Sequence, residues 1–118
     1  MKPVAEMLAQ VFQETHPRVG RVSINEGTPF PYAVYRVMGN EDTETRWRYS
    51  VEVECFGISE DPDALDEIVE VFRSLNRREL LMADTVIVFY LENSYDIPDP
   101  TEDLIRVMVV FEVLLYKT

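Results

Sequence analysis

The sequence is poor in the residues that build disulfides, metal centres and catalytic triads. Its 118 residues include one cysteine, Cys55, and one histidine, His16. One cysteine permits no internal disulfide, and one histidine leaves neither a histidine-rich metal site nor a Ser-His-Asp triad. Cys55 alternates with Val51 and Val53, so we expect it to pack as a small hydrophobic side chain. His16 precedes Pro17 at the end of a helical pattern, which favours a surface position.

Phosphate-binding and calcium-binding motifs are also missing. The four glycines are isolated in turn-like contexts, and the acidic stretch that begins at Glu60 lacks the spacing of an EF-hand loop. Glu52 and Glu54 lie two apart on one strand face, as a pair of acid–base catalysts would, but salt bridges to Arg46 and Arg48 are the favoured interpretation. Nothing in the sequence supports an enzyme, a metal site or an organic cofactor.

Long apolar runs and excess basic charge are absent as well. No apolar run approaches the roughly 20 residues of a membrane helix, and Glu6 interrupts the stretch where a signal peptide would be apolar. Acidic residues number 22 against 11 Lys plus Arg, for a net charge of −11, which argues against general or sequence-specific nucleic-acid binding. A local basic patch is left open. We expect a protein made in the cytoplasm that does not bind membranes.

The aromatic residue Trp47 stands between Arg46 and Arg48, as it would in a nucleic-acid stacking platform. Strand alternation places Trp47 and Tyr49 on one face and the two arginines on the other. Core packing of the aromatic pair is therefore favoured over base stacking.

The residues that are present predict one globular α+β domain over 1–118. A hydrophobic fraction of 47% with 11% aromatic residues is typical of such domains. Helical spacing of apolar residues predicts helices over 2–15 and 59–75, and the Asp61-Pro62 pair has the form of a helix start. Strands are expected over 32–38, 46–56, 85–92 and 104–116, with a brief edge strand within 19–24. We therefore predict a mainly antiparallel sheet of four to five strands, in the order α-β-β-α-β-β, with both helices on one face.

The sheet face away from the helices is unusually apolar. In strand 104–116 it carries Met108, Val110 and Leu114 beside Arg106 and Glu112, whereas a solvated face should be mostly polar. We interpret this face as a surface for self-association or for a partner. The candidate interface residues are Arg36, Arg46, Arg48, Glu52, Glu54, Arg106, Met108 and Glu112. The alternatives are a strand bulge that shifts the count, or an N-terminal segment that covers this face.

Two segments carry a resemblance to a known family. They are the Phe30-Pro31-Tyr32-Ala33-Val34-Tyr35 run and the alternating strand 46–57, which leads through a short Ser/Asp-rich turn into a helix. Within the succession of elements from residue 1 to 116, they resemble the tail terminator, or tail-completion (minor tail), proteins of long-tailed bacteriophages and prophages.

The resemblance implies a structural role without catalytic residues or cofactors. Family members assemble as a ring, usually of six subunits, that caps the tail tube, stops its polymerisation and joins it to the head. The implied partners are copies of the chain, the tail tube protein and head-neck connector proteins. The implied location is the tail of the virion, assembled in the bacterial host cytoplasm. In this chain we expect residues 93–101 to form an exposed loop, with Tyr95, Asp96 and Ile97 as candidate docking residues.

Two other functions are compatible with the sequence. One is a neck or head-completion protein on the head side of the particle. The other is a non-viral oligomeric α+β protein that binds a small ligand or regulates an enzyme, for which a closed pocket with convergent polar groups would be the distinguishing feature.

Overall fold

The computed structural model describes residues 2–21, 27–42, 46–82, 84–101 and 103–117. Within these residues the chain forms two helices and six strands. The helices are α1 (Lys2–Thr15) and α2 (Pro62–Arg73). The strands are β1 (Val19–Arg21), β2 (Tyr32–Asp42), β3 (Arg46–Ile58), β4 (Glu79–Met82), β5 (Thr85–Ile97) and β6 (Leu104–Lys117).

The strands form one sheet in the order β1-β2-β3-β6-β5-β4. β1 pairs with β2 in parallel, and every other described pair is antiparallel. The α+β class and the mainly antiparallel sheet agree with the prediction, but the sheet is larger than expected because β4 adds a strand. The sequence signal for β4 is weak, since only four residues form it and they follow a turn in which Arg77 has a φ of 64°.

α1 has the predicted bounds, whereas α2 starts at the predicted Asp61-Pro62 pair but is shorter than the predicted helix over 59–75. The Asp61 side chain accepts a hydrogen bond from the Ala64 amide, 3.3 Å away, and Pro62 occupies the first turn of α2. α1 ends before Pro17, where the His16 Nδ1 atom accepts a hydrogen bond from the Arg18 amide at 3.1 Å. Local hydrogen bonds and prolines therefore define these helix ends. The apolar stripe of each helix determines which side of the helix packs on the sheet.

The two helices share one face of the sheet, as predicted. The Phe12 ring of α1 lies 5.9 Å from the ring of Phe72 in α2 and 4.6 Å from that of Tyr35 in β2. Tyr49 is buried and Trp47 packs against the same core, so both aromatic side chains lie on the helix side. Since α1 packs beside α2, it does not cover the opposite face.

α2 packs closely against the sheet at Gly57. A Cβ atom at this position would stand 2.8 Å from the Cβ of Leu65, which is closer than packed carbon atoms come. The absence of a side chain at Gly57 therefore sets the distance between β3 and the helix.

Two bulges and one strand extension depart from the predicted strands. The register shifts between Val37 and Gly39 in β2 and between Leu91 and Asn93 in β5. β5 then continues to Ile97, so the expected loop over 93–101 is wrong in extent, and Tyr95, Asp96 and Ile97 pair with β6. The polar residues of this segment favour a turn by themselves, but the long β6 strand offers them a hydrogen-bonding partner. None of the described helices is long and apolar enough to cross a membrane.

Candidate assembly surface

We call the sheet face opposite the helices the second face. It carries the alternate residues of each strand, so successive cross-strand rows can be read from the register. One row contains Tyr32, Phe56, Arg106 and Ile97, and the next contains Val34, Glu54, Met108 and Tyr95. Both described helices lie on the other side, but the predicted interface residues Met108 and Glu54 are buried within the chain, as are Val34, Val88 and Leu114. The part of this face that a partner can reach is therefore smaller than the sequence predicts.

An ion-pair cluster occupies the β2–β3–β6 part of the second face. The Glu54 side chain is only 8% exposed, and its Oε1 accepts a hydrogen bond from Arg36 Nη1 at 3.3 Å. Its Oε2 lies 3.2 Å from Arg106 Nη1, and Arg106 Nε lies 3.4 Å from Asp99 Oδ2. A buried carboxylate is costly unless it is paired, and two guanidinium groups neutralise this one.

A second ion pair joins Arg48 and Glu112, whose Nη1 and Oε1 atoms are 3.7 Å apart. Both side chains are partly exposed, so the pair adds little to stability and its charges are within reach of a partner. Strand alternation correctly places the charged residues on this face, but the ion pairs in the structure differ from those that the sequence favours. Glu54 pairs with Arg36 and Arg106 rather than with Arg46 or Arg48.

A row of stacked aromatic rings borders the ion-pair cluster. The Phe30 and Tyr32 ring centroids are 5.1 Å apart, and those of Tyr32 and Phe56 are 4.9 Å apart. The Arg106 guanidinium carbon lies 5.7 Å from the centre of the Phe56 ring, within cation–π distance. The row holds Arg106 in place beside Glu54. In the sequence, Phe30 and Tyr32 stand out only as part of the family resemblance, although the hairpin register brings Tyr32 opposite Phe56.

The other end of the second face is apolar. Val86 of β5 pairs with Tyr116 of β6 on one side and with Leu81 of β4 on the other. Leu81 is 71% exposed, and Tyr116 and Tyr90 are also exposed. The sequence does not identify Leu81 as a residue of this face, because its pattern does not predict β4. The alternation of Val86, Val88 and Tyr90 along β5 was the available signal.

The three predicted docking residues alternate between the two faces of the sheet. Tyr95 and Ile97 belong to the second face, where they pair with Met108 and Arg106. Asp96 faces the helix side, where it lines an open groove of about 500 Å³ with Asp66, Glu70, Arg73, Ser94 and Tyr95 among others. Within the described residues, no group of three or more His, Cys, Asp or Glu side chains is arranged to hold a metal ion.

The reactive side chains are in environments that favour their neutral forms. Burial, with a smaller effect from Glu54, raises the pKa of the Cys55 thiol to about 12. Burial also raises the pKa of Tyr35. Partial burial, with a smaller effect from Arg18, lowers the pKa of His16 below 6.5. A thiol that stays protonated is a poor nucleophile, so Cys55 acts as a core residue.

The fold of this chain is similar to that of a chain of known structure, although its sequence matches no known family. No protein-family model matches the sequence, and no curated protein matches it. Among solved structures, the chain resembles a chain from the virion of a native gene transfer agent particle, with a TM-score of 0.60 and 10% sequence identity. The match covers 83% of this chain and 78% of that chain. At this level of identity the likeness shows a shared fold.

Proposed function

We propose that this protein is a structural component of a phage-like particle. The single observation that carries the proposal is the fold shared with a chain of a gene transfer agent virion over most of both chains. The likeness of fold is independent of the residue patterns that suggested the phage family. A virion component acts by binding other subunits, and the second face offers a surface for this.

Within the particle, we place the protein at the end of the tail tube as a terminator that joins the tail to the head. Assembly with copies of itself, with the tail tube protein and with head-neck connector proteins accounts for a sheet face on which Leu81, Tyr90 and Tyr116 are exposed beside the Arg48–Glu112 pair. A cap of this kind performs no chemistry. An acidic protein around a central channel would also repel DNA that passes through it.

The experiment is to delete the gene in the particle-producing strain and to image the particles by negative stain. Loss of a terminator gives overlong tubes and tailless heads, and wild-type protein added to the lysate restores tubes of uniform length. A head-side neck protein instead gives tails of normal length that fail to join heads. Normal particles after deletion would contradict any structural role.

A gold-labelled tag on the protein gives an independent location. The terminator function requires label at one end of isolated tubes, and a head-side function requires label on filled heads without tails. A tagged variant with Glu67→Gln, an exposed change on the outer surface of α2, serves as the matched control for effects of the label itself.

A further inference from the structure

The outer edge of β5 is open over its second half. β4 covers only the first half, since its four residues pair with 85–88. Beyond them, the Phe89 backbone bonds to the turn before β4, and the Leu91 amide donates to Asn76 Oδ1 at 2.8 Å. None of the described strands pairs with the outer edge over 92–97. Four of the first five residues of β5 are buried, whereas none of the last six is.

The hydrogen bonds show which backbone groups point outward from this edge. Residues of a strand alternately direct their N–H and C=O groups to one neighbour and to the other, and Phe89 and Leu91 direct theirs away from β6. The bulge between Leu91 and Asn93 adds one residue, so Ser94 and Asp96 take this orientation after it. The Ser94 amide bonds to Asn93 Oδ1 at 2.9 Å. Within the described residues, no backbone hydrogen bond reaches the Ser94 carbonyl or the Asp96 N–H and C=O, so three groups are free for an added strand.

A groove of about 500 Å³ lies beside this edge, between α2 and the second half of β5. We call it the α2–β5 groove. Its apolar lining includes Val69 and Val107, and Asp66, Glu70 and Asp96 add carboxylates. A strand added at the edge turns every second side chain to the helix side, level with Asp96 and towards this groove. Free main-chain groups and a pocket for alternate side chains are the two features by which a sheet edge binds an extended peptide.

The charge of the α2–β5 groove favours a basic occupant. Its three carboxylates stand against one guanidinium, that of Arg73, whose Nη1 lies 3.6 Å from Glu70 Oε1. A Lys or Arg side chain can lay its aliphatic part on Val69 and Val107 and place its charge among the carboxylates. A second copy of this chain is a poor occupant, because each copy carries a net charge of −11.

We infer that the outer edge of β5 at residues 94–97 binds an extended segment of a different protein, which adds to the sheet as a strand with Lys or Arg at alternate positions. Pro98 and Pro100 follow directly, so the pairing is confined to these residues. The contact is separate from the second face. It is therefore additional to the contacts of the proposed function and does not depend on them.

Selection from a library of random nine-residue peptides supplies the probe. Immobilised wild-type protein should enrich peptides with Lys or Arg at every second position. When one of these peptides is titrated into isotope-labelled protein, the amide resonance of Asp96 should shift, because its N–H gains an acceptor, and that of Ser94 should shift with it. No enrichment, or enrichment of peptides without basic residues, would overturn the inference.

Two variants of Asp96 separate the backbone contact from the charge. Asp96→Pro removes an N–H that points away from β6, so the β5–β6 pairing is kept, and urea denaturation checks that the fold is intact. It should weaken binding of the selected peptide at least about tenfold. Asp96→Asn keeps the backbone groups and should weaken binding only about two- to fivefold. Equal binding by Asp96→Pro and the wild-type protein would show that the peptide binds elsewhere, and the edge pairing would be wrong.

The groove is tested by the double variant D66N/E70Q. It removes two carboxylates and should weaken peptide binding about three- to tenfold and make it less sensitive to salt. The matched control is E60Q/E67Q, which removes the same charge from exposed positions that do not line the groove. The control should bind within about twofold of the wild-type protein. Equal losses in the two variants would show that net charge alone acts, and the groove would have no part in binding.

The outcomes separate this inference from the proposed function. If light scattering shows that Asp96→Pro breaks up assemblies of the protein alone, the edge binds another copy, and the assignment to a basic partner is overturned. Failure of the peptide tests leaves the virion role intact, since the deletion experiment decides that role. Normal particles after deletion would likewise leave the edge pairing standing.

Discussion

Glu54 on β3 and Arg106 on β6 form an ion pair with 3.2 Å between Oε2 and Nη1, and the glutamate side chain is almost fully buried. Arg36 holds the other carboxylate oxygen. Replacement of Glu54 by Ala would leave two arginines facing each other across the middle of the sheet. We expect the free energy of unfolding to fall by about 2 kcal/mol, less than for a fully buried pair, because both arginines are partly exposed.

Urea denaturation measures the Glu54 effect, and Glu52→Ala is the matched control. Glu52 lies two residues away on the same face and is half-buried. Its replacement should change the unfolding free energy by no more than about 0.5 kcal/mol. Equal losses in the two variants would show that the ion-pair cluster does not stabilise the fold.

The Arg48–Glu112 pair tests the role of the second face in assembly. Arg48→Glu places two carboxylates side by side on an exposed part of this face, so it should weaken assembly without unfolding the monomer. Arg73→Glu, an exposed change on α2, makes the same change in net charge on the helix side of the molecule. If light scattering shows equal assembly for Arg48→Glu and the wild-type protein, Arg48 has no part in the subunit contact.

Gly57 is expected to tolerate no side chain. Gly57→Ala would bring its Cβ against Leu65, and α2 would have to move away from β3, at a cost of about 1–3 kcal/mol. Gly39→Ala is the control, because a Cβ there meets no atom within 4 Å. The control should be neutral or stabilising by up to about 1 kcal/mol. The midpoint temperature of thermal unfolding, measured for both variants, tests this prediction. An unchanged midpoint for Gly57→Ala would contradict the close packing of α2 on β3.

His16 is expected to make stability depend on pH. Its pKa is lowered in the folded state, so the folded chain binds this proton more weakly than the unfolded chain does. Its contribution is therefore complete above pH 6.5 and is lost as the pH falls below that value. Protonation at Nδ1 would also remove the acceptor of the Arg18 amide. His16→Asn keeps an acceptor that does not titrate.

The pH prediction is checked by urea denaturation at pH 7.5 and pH 5.5. The wild-type protein should lose more stability between the two values than the His16→Asn variant does. The carboxylates are common to both proteins, so the difference isolates the histidine. Parallel losses would contradict the prediction.

Local sequence patterns predict much of this fold, because alternation shows which face of a strand is buried and capping residues show where a helix begins. The alternation in residues 46–56 places Trp47, Tyr49 and Cys55 on the helix side, as the structure does. The Asp61-Pro62 start of α2 follows from capping chemistry alone. β4 and the end of β5 are not predictable in this way, since Leu81 and Tyr95 are strand residues only because a neighbouring strand pairs with them.

The site is predictable only in part for the same reason. Alternation assigns Glu54 and Arg106 to the same face, but their contact depends on the pairing of β3 with β6, which are separated by α2, β4 and β5. No local pattern encodes that pairing. The position of β4 at one side of the described sheet likewise becomes visible only when the strand order is known.

The position of β6 has a consequence for synthesis of the protein. β6 is the last of the six strands to leave the ribosome, yet it lies between β3 and β5. Until it emerges, the hairpin of β2 and β3 and the pair of β4 and β5 have no shared partner, and their apolar residues depend on chaperones or on transient collapse. Completion of the sheet is thus expected to wait until all six described strands have been made, with the slower rates that long-range strand pairing imposes.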